Sequence, residues 1–326
     1  MPTSSLLAMR VRATDSSPIM TDPSPTEKWL RIGVDGGASK TDLILTDAEG
    51  RILIEKTGPG CSPSHLGQDG ARVLISRQLR DLITGRPGIR ARITHTLLFM
   101  AGDPAFWRDY AVNLEGYGRV EADLDSVPAL QLACGNGPGL AIHGGTGSFV
   151  AAREPDGRHH YAGGLGWRIG DPGSAHDLGV RAARRTLMEM DGWSAPSPVG
   201  TSVNETIGKS TRRDLLERLY TANDPSSLLA GLAPAISRLA EEGCREAATI
   251  MAESLQPLVD LAHRVAGQLA LPPGFACGLS GRLFSNPVAV RIVTDQLNRA
   301  GLDCRISRIT EEPIEGVRQI LAGWKS

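Results

Sequence analysis

LRIGVDGGASKTDLILTDAEGRILIEKTG, from Leu30 to Gly58, decides the fold, because its pattern returns as GLAIHGGTGSFVAAREPDGRHHYAGG, from Gly139 to Gly164. Each copy runs through an apolar strand, a tight glycine-pair turn, a second apolar strand, an acidic-Gly hairpin turn and a third strand. Acidic-Gly dipeptides between apolar runs are strong hairpin signals. Two strand–glycine–strand units predict two halves of similar build. Each half then offers a phosphate-sized loop, with one nucleotide held between them.

The chemistry of those loops follows from their residues. A glycine pair leaving a strand permits positive φ and lets backbone N–H groups approach an anion with no Cβ in the way. Hydroxyls follow closely: Ser39 in the first copy, Thr146 and Ser148 in the second. Asp35, just before the first pair, suits Mg²⁺ held through water, since that ion takes oxygen ligands and keeps several waters. A plain hairpin turn accounts equally well for either loop alone. Their equivalent positions in matched units favour phosphate binding. Lys40 is present, but the spacing of a P-loop is not.

Composition narrows the classes. A chain of 326 residues holds two domains with sizeable cores. Hydrophobic residues make up 41% and charged residues 22%, with a net charge of −1, which leaves no electrostatic footprint for nucleic acid or an acidic membrane surface. Five scattered cysteines without a C-x-x-C favour reduced thiols in a cytoplasm over a disulfide framework or zinc site. No apolar run reaches the length of a membrane span. Residues 1–28, rich in Ser, Thr and Pro and without an apolar h-region, read as a disordered extension, with Met9 and Met20 as alternative starts.

The rest reads as alternating strands and helices. Strands are expected at 30–35, 40–47 and 51–57, a helix at 69–84, a buried strand at 94–103, a helix over FWRDYAVNLEGYG and a short strand at 119–123. Asp125 then opens a helix in which Pro128 sits in the first turn, where proline is tolerated. After Asp171 come helices over AHDLGVRAARRTLMEM, 211–221, 227–242 and 244–269. FACGLSGRLFSNPVAVRIVTDQLNRAG reads as strand, glycine turn and helix, DCRISRIT as a strand, and EEPIEGVRQILAGWK as a closing helix. Such alternation implies a layered α/β architecture with ligands at loop ends.

Four further places can carry chemistry. Asp125, at a helix N-terminus, can accept a proton from an attacking hydroxyl, or it can simply cap the helix. Asp103 and Asp123 are rivals by residue type. YAGGLGWRIGDPGSAHDLG, 161–179, sets one carboxylate, Asp171, among glycines that make a backbone-lined cleft for a polar ligand. GLSGRLF, 278–284, follows an apolar strand and could let a flat purine approach the backbone. TGPGCSPSHLG, 57–67, reads as a Gly/Pro/Ser loop with hydroxyls Ser62 and Ser64. His143, His159 and His160 lack metal-ligand spacing and read as surface or core histidines.

The order DGGASKT, AGD, Asp125, GGTGS, GGLGWRIGDPGS and GLSGRLF resembles the BadF/BadG/BcrA/BcrD-type ATPase family, and within it the N-acetylglucosamine and glucosamine kinase branch of the actin-like (ASKHA) sugar kinases. The resemblance runs from about residue 30 to 322. It implies an α/β fold of two ribonuclease-H-like (actin-like ATPase) domains with a cleft between them, at 29–122 and 123–310, and a closing helix at 311–326 packing back on the first. It implies ATP and Mg²⁺, with Asp125 as catalytic base. Gly36, Gly37, Ser39 and Lys40 fall at the first phosphate loop, beside Asp35 at the metal. Gly145, Thr146 and Gly147 match the second loop, and Gly278 and Gly281 the adenosine turn. Ser62, Ser64, Gly164, Leu165 and Asp171 fall at the sugar.

Departures from the family pattern lie near the sugar: Leu165 stands where many relatives have Trp, Pro172 where they have an acidic residue, and the 57–67 loop lacks their Asn. The expected activity is an ATP-dependent carbohydrate kinase acting on an amino sugar, with the C6 hydroxyl as acceptor. The expected partner is a small-molecule sugar, with no nucleic acid, no membrane, a homodimer as candidate assembly, and a cytoplasmic location. Alternatives are a BadF-type ATPase that activates a partner enzyme through a shared iron–sulfur cluster, and a sugar-sensing module without turnover.

Overall fold

The computed structural model describes residues 29–208 and 211–324; the N-terminal extension read above lies outside the described residues. In chain order the elements are β1 (Leu30–Gly36), β2 (Lys40–Thr46), β3 (Ile52–Pro59), α1 (Pro63–Ile83), β4 (Ile93–Met100), α2 (Pro104–Val112), β5 (Arg119–Leu124) and α3 (Ser126–Cys134). Then follow β6 (Gly139–Gly144), β7 (Ser148–Arg153), β8 (His159–Gly163), α4 (Ala175–Met190), α5 (Pro198–Ile207), α6 (Arg212–Thr221), α7 (Pro225–Ala230), α8 (Ala233–Glu241) and α9 (Arg245–Gln268). The chain closes with β9 (Phe275–Ser280), α10 (Pro287–Arg299), β10 (Cys304–Arg308) and α11 (Pro313–Gly323).

The repeat seen in the sequence is a repeat of topology. One five-stranded sheet has the order β3-β2-β1-β4-β5, and the other β10-β9-β6-β7-β8. In each, the hairpin strands pair antiparallel and the two later strands add in parallel. β1 is buried along its whole length because it lies between β2 and β4, whereas β3, at an edge, alternates between exposed and half-buried residues. That difference is what a central and an edge strand require.

The described residues divide into two compact units, 29–131 together with 311–324, and 132–208 together with 211–310. Residues 123–131, which the sequence reading assigned to the second domain, belong to the first unit, since β5 pairs with β4. In this first unit, Ile75, Leu79 and Leu82 of α1 pack with Ile32, Val34 and Leu43 in one core. Val317 and Leu321 of α11 pack with Ile44, Leu97 and Phe99 in a second. Gly33 makes room for α11, since a Cβ there would lie 2.4 Å from Val317 Cγ1 and 2.9 Å from Leu321 Cδ1. The Arg31 guanidinium donates to the carbonyls of Leu321 and, at 3.0 Å, Trp324, satisfying groups that a helix C-terminus leaves unpaired.

In the second unit, Leu140, Ile142 and Val150 share one core with Leu178 of α4, Leu255 and Val259 of α9, and Val293 of α10. Two sequence expectations need correction. The span 57–67 is not a loop, because β3 extends to Pro59 and α1 starts at Pro63, kinked at Gly67 (φ 70°). The span 227–242 is two helices, α7 and α8, and α5 was not anticipated at all. Among the described residues, no helix is long and apolar enough to cross a membrane.

Candidate functional site

The parallel registers gather the first group of residues. Gly36 pairs with Met100, and Met100 with Leu124, so the C-terminal ends of β1, β4 and β5 form one row across the sheet. The DGGASK turn, the AGD turn and Asp125 therefore emerge at the same sheet end, where open α/β sheets bind ligands. The turn itself is closed by the Gly37 N–H donating to the Lys40 carbonyl at 2.9 Å, leaving Ala38, Ser39 and Lys40 exposed.

The glycines serve close packing rather than positive φ, which corrects the sequence argument. None of Gly36, Gly37, Gly145 and Gly147 is left-handed. A Cβ on Gly36 would lie 2.4 Å from Met100 Sδ. The turn also rests on Gly60, where a Cβ would lie 2.1 Å from the Ala38 carbonyl oxygen.

Carboxylates collect beside this turn. Asp35 is 8% exposed. Burial first, then the Asp125 and Asp42 carboxylates, push it up to about 7, against the pull of Lys40. Asp125 is half-buried at the start of α3. Burial pushes it up to about 6, with its own backbone N–H working the other way. Its rivals have structural duties: Asp103 accepts from Ala105 N–H at the start of α2, and Asp123 pairs with Arg108 at 3.8 Å. No cation pairs with Asp125 among the described residues, so its carboxylate stays available.

Lys40 is less available than the sequence suggests. Its ammonium is held by Asp42 at 2.9 Å and Glu312 at 2.7 Å. Burial alone would lower its pKa, but hydrogen bonds from the ammonium to those two carboxylates carry it up. Asp42 and Glu312 were missed in the sequence. Asp42 lies inside a strand, and Glu312 comes from the far end of the chain. Among the described residues, no three Asp, Glu, His or Cys side chains converge to chelate a metal. Asp35 still fits Mg²⁺, because an ion that keeps most of its waters needs one or two carboxylates plus phosphate oxygens.

The second group lies wholly in the second unit. Gly145 N–H donates to the Gly147 carbonyl at 2.9 Å, closing the turn with Thr146 exposed at its tip. Ala175 N–H, at the start of α4, donates to the Gly145 carbonyl at 2.8 Å, and Ser148 Oγ donates to the Pro172 carbonyl at 2.7 Å. The DPGS segment thus buttresses the turn. Asp171 is buried, and its Oδ1 accepts from Gly166 N–H at 3.1 Å while a Cβ on Gly147 would lie 2.9 Å from its Oδ2. Burial raises its pKa, opposed by the backbone N–H groups of Gly166 and Leu165 and by His176.

Gly281, at φ 94°, packs on the same turn: a Cβ would fall 2.5 Å from the Gly144 carbonyl oxygen. Gly278 does not reach it. It is buried inside β9, where a Cβ would lie 2.5 Å from Ala133 Cβ, so its small size serves packing against α3.

The residues read as sugar ligands are divided. Ser62 is buried and shares a 2.8 Å hydrogen bond with Ser64 at the start of α1. Gly164, at φ 60°, donates its N–H to the Ser148 carbonyl at 3.0 Å, and Leu165 beside it is 58% exposed. His143, dismissed above, lies against Gly145 and Gly281. Its place one residue before the glycine pair was the available signal.

A model of the BadF/BadG/BcrA/BcrD ATPase family matches residues 32–318. The chain belongs to this family. ATP use comes with membership of the BadF/BadG/BcrA/BcrD ATPases. Among relatives, it is 25% identical to an N-acetylmuramic acid/N-acetylglucosamine kinase of Clostridium acetobutylicum, over 70% of this chain and 76% of the relative. It is 26% identical to an N-acetyl-D-glucosamine kinase of Dictyostelium discoideum, over 75% of this chain and 81% of that one. A solved structure of a candidate N-acetylglucosamine kinase from Chromobacterium violaceum has the same fold, at a TM-score of 0.72 and 23% identity, covering 90% of this chain and 99% of that one. A ROK family glucokinase from Streptomyces griseus follows at a TM-score of 0.55 and 14% identity, over 89% of this chain and 97% of that chain. The two-domain actin-like fold expected from the sequence therefore stands.

Proposed function

We propose that this BadF-family protein is an ATP-dependent kinase that transfers the γ-phosphoryl group to a hydroxyl of an amino sugar, N-acetylglucosamine or glucosamine. The observation that carries this reading is Asp125, a carboxylate that no cation pairs with among the described residues, pushed up to about 6 at the sheet end that also holds Asp35 and the DGGASK turn. A base with a pKa near the working pH is effective at accepting a proton from an attacking hydroxyl. Both curated relatives, named as kinases of N-acetylglucosamine, support the choice of acceptor.

The same reading assigns the roles. Asp125 takes the proton of the sugar C6 hydroxyl as its oxygen attacks. Backbone N–H groups of each glycine turn, with Ser39 on the first and Thr146 on the second, serve as phosphate donors. Gly281 is assigned to the nucleotide, and Gly164, Leu165 and Asp171 in the second unit and Ser62 and Ser64 in the first are candidate sugar contacts. Asp35 would hold Mg²⁺ through water, and the ion would supply positive charge against that of the transferring phosphoryl group.

The test is ADP release by the purified full chain with ATP and Mg²⁺, across glucosamine, N-acetylglucosamine, N-acetylmuramic acid and glucose. Sugar-dependent release with an amino sugar, and a phosphosugar seen by mass, is the expected result. ADP release that ignores every sugar in the panel would sink the kinase reading.

A further inference from the structure

His143 stands on β6, one residue before the glycine pair, and its neighbours across the sheet are Ser280 on β9 and Phe149 on β7. Its Nδ1 lies 3.0 Å from Ser280 Oγ. Its ring stacks on Phe149, with centroids 4.7 Å apart and planes 7° from parallel. The other edge of the imidazole is bordered by two residues without side chains. A Cβ on Gly145 would lie 2.6 Å from Nε2, and one on Gly281 would lie 3.0 Å from Cε1. Nε2 therefore lies against the turn of Gly145, Thr146 and Gly147, where any other residue at 145 would collide with it.

Burial depresses the imidazole to about 4, so the ring is neutral near pH 7. A neutral imidazole carries one N–H, and the partner of one nitrogen decides where the proton sits. When the Ser280 hydroxyl donates to Nδ1, the proton is on Nε2 and points at the turn. A histidine serving only to tie β6 to β9 would need the Ser280 bond and the Phe149 stack. It would not need to bring Nε2 up against the backbone of Gly145.

We propose that His143 is a phosphate-binding residue of the second turn: its Nε2–H donates to a phosphate oxygen of the nucleotide, and Ser280 is the positioning residue that fixes the donor tautomer. The inference rests on the nucleotide reading of that turn and adds a side-chain donor to its backbone ones. A donor aimed from a half-buried, preorganised position is worth more than the same group in water.

Calorimetric titration of the full chain with ADP and with adenosine tests it, because only ADP carries phosphate. His143→Phe keeps the stack and removes the donor. Since hydrogen bonds to charged groups are worth about 1.5–3 kcal/mol, ADP affinity should fall roughly tenfold or more, with adenosine affinity unchanged. His143→Gln, which keeps an N–H, should restore most of the loss. Ser280→Ala should weaken ADP alone by severalfold and add nothing in the His143→Phe background. Unchanged ADP affinity in His143→Phe, or equal losses for ADP and adenosine, would overturn the proposal. If His143→Phe does not fold, Ser280→Ala decides, and ADP affinity within about twofold of wild type overturns it. Wild-type protein that binds adenosine and ADP equally would remove the phosphate reading of the turn itself, and this inference with it.

Discussion

Glu312, just ahead of α11, accepts a hydrogen bond from Lys40 Nζ at 2.7 Å, while Asp42 holds the same ammonium at 2.9 Å. The two carboxylates differ in burial, at 69% side-chain exposure for Glu312 and 6% for Asp42. An exposed ion pair contributes little, so Glu312→Gln should change folding stability by less than about 0.5 kcal/mol. Lys40→Met leaves the buried Asp42, among the described residues, with only the Thr57 hydroxyl donating to its side chain, at 2.6 Å. That change should cost about 1–3 kcal/mol, as expected for a buried group losing a charged partner. Urea denaturation of both variants checks the contrast, and equal effects would show that burial does not set the value of this pair.

Asp125→Asn keeps the size of the side chain and removes its ability to take a proton. General bases contribute about 10²–10⁴-fold, so sugar-dependent ADP release should fall by that factor. ADP affinity should stay within about threefold of wild type, because no phosphate-turn residue is altered. Rapid turnover by the Asn variant would remove Asp125 from the mechanism.

The fold was legible largely because its information is local and repeated. Two acidic-Gly hairpin turns, at Gly50 and Gly157, and two glycine-pair turns mark the two sheets. The closing helix was legible from Pro313 and the apolar spacing of Ile314, Val317 and Leu321. Of the candidate site, Asp35 and Asp125 could be named from residue type and position, and strand register brings them to one sheet end. Gly278 misled because a glycine needed against Ala133 looks the same in sequence as one needed against a ligand. Asp42, Glu312 and His143 were hidden because their roles come from strand register and from contacts distant in sequence.

Stability and turnover should respond to pH in opposite senses. Asp35 rises to about 7 and Asp125 to about 6 from 3.8. Between those limits the folded chain keeps protons that the unfolded chain has released. Their contribution to stability is therefore complete below about pH 4 and is lost as pH climbs to about 7. His143, depressed to about 4 from 6.5, acts in the opposite direction over the acidic part of that range, so each variant must be compared with wild type at the same pH. Asp35→Asn should stabilise the ligand-free protein at pH 8 by on the order of 1–4 kcal/mol, and by little at pH 4. The same variant should weaken Mg²⁺-dependent ATP binding. Turnover by wild type should rise through about pH 6 as Asp125 ionises. Urea midpoints at several pH values, with a pH–rate profile, check both signs.

Glycines around the turns should separate by what a methyl group would meet. At Gly37 the nearest atom to an added Cβ is the Lys40 carbonyl oxygen, at 3.3 Å, and the backbone there is not left-handed. Gly37→Ala should therefore fold with stability within about 1 kcal/mol of wild type. Its methyl nonetheless occupies the approach to the first turn, so ATP affinity should drop. Gly281→Ala faces two obstacles at once: φ of 94° and a backbone oxygen, that of Gly144, at 2.5 Å. Backbone cannot yield as a flexible side chain does, and left-handed strain adds about 1–2 kcal/mol for a residue with a Cβ. Gly281→Ala should thus lose at least about 2 kcal/mol of stability and shift the second turn. Thermal unfolding with and without ADP separates the cases. Gly37→Ala should keep its melting temperature and lose the ADP-induced rise, whereas Gly281→Ala should melt early before any nucleotide is added.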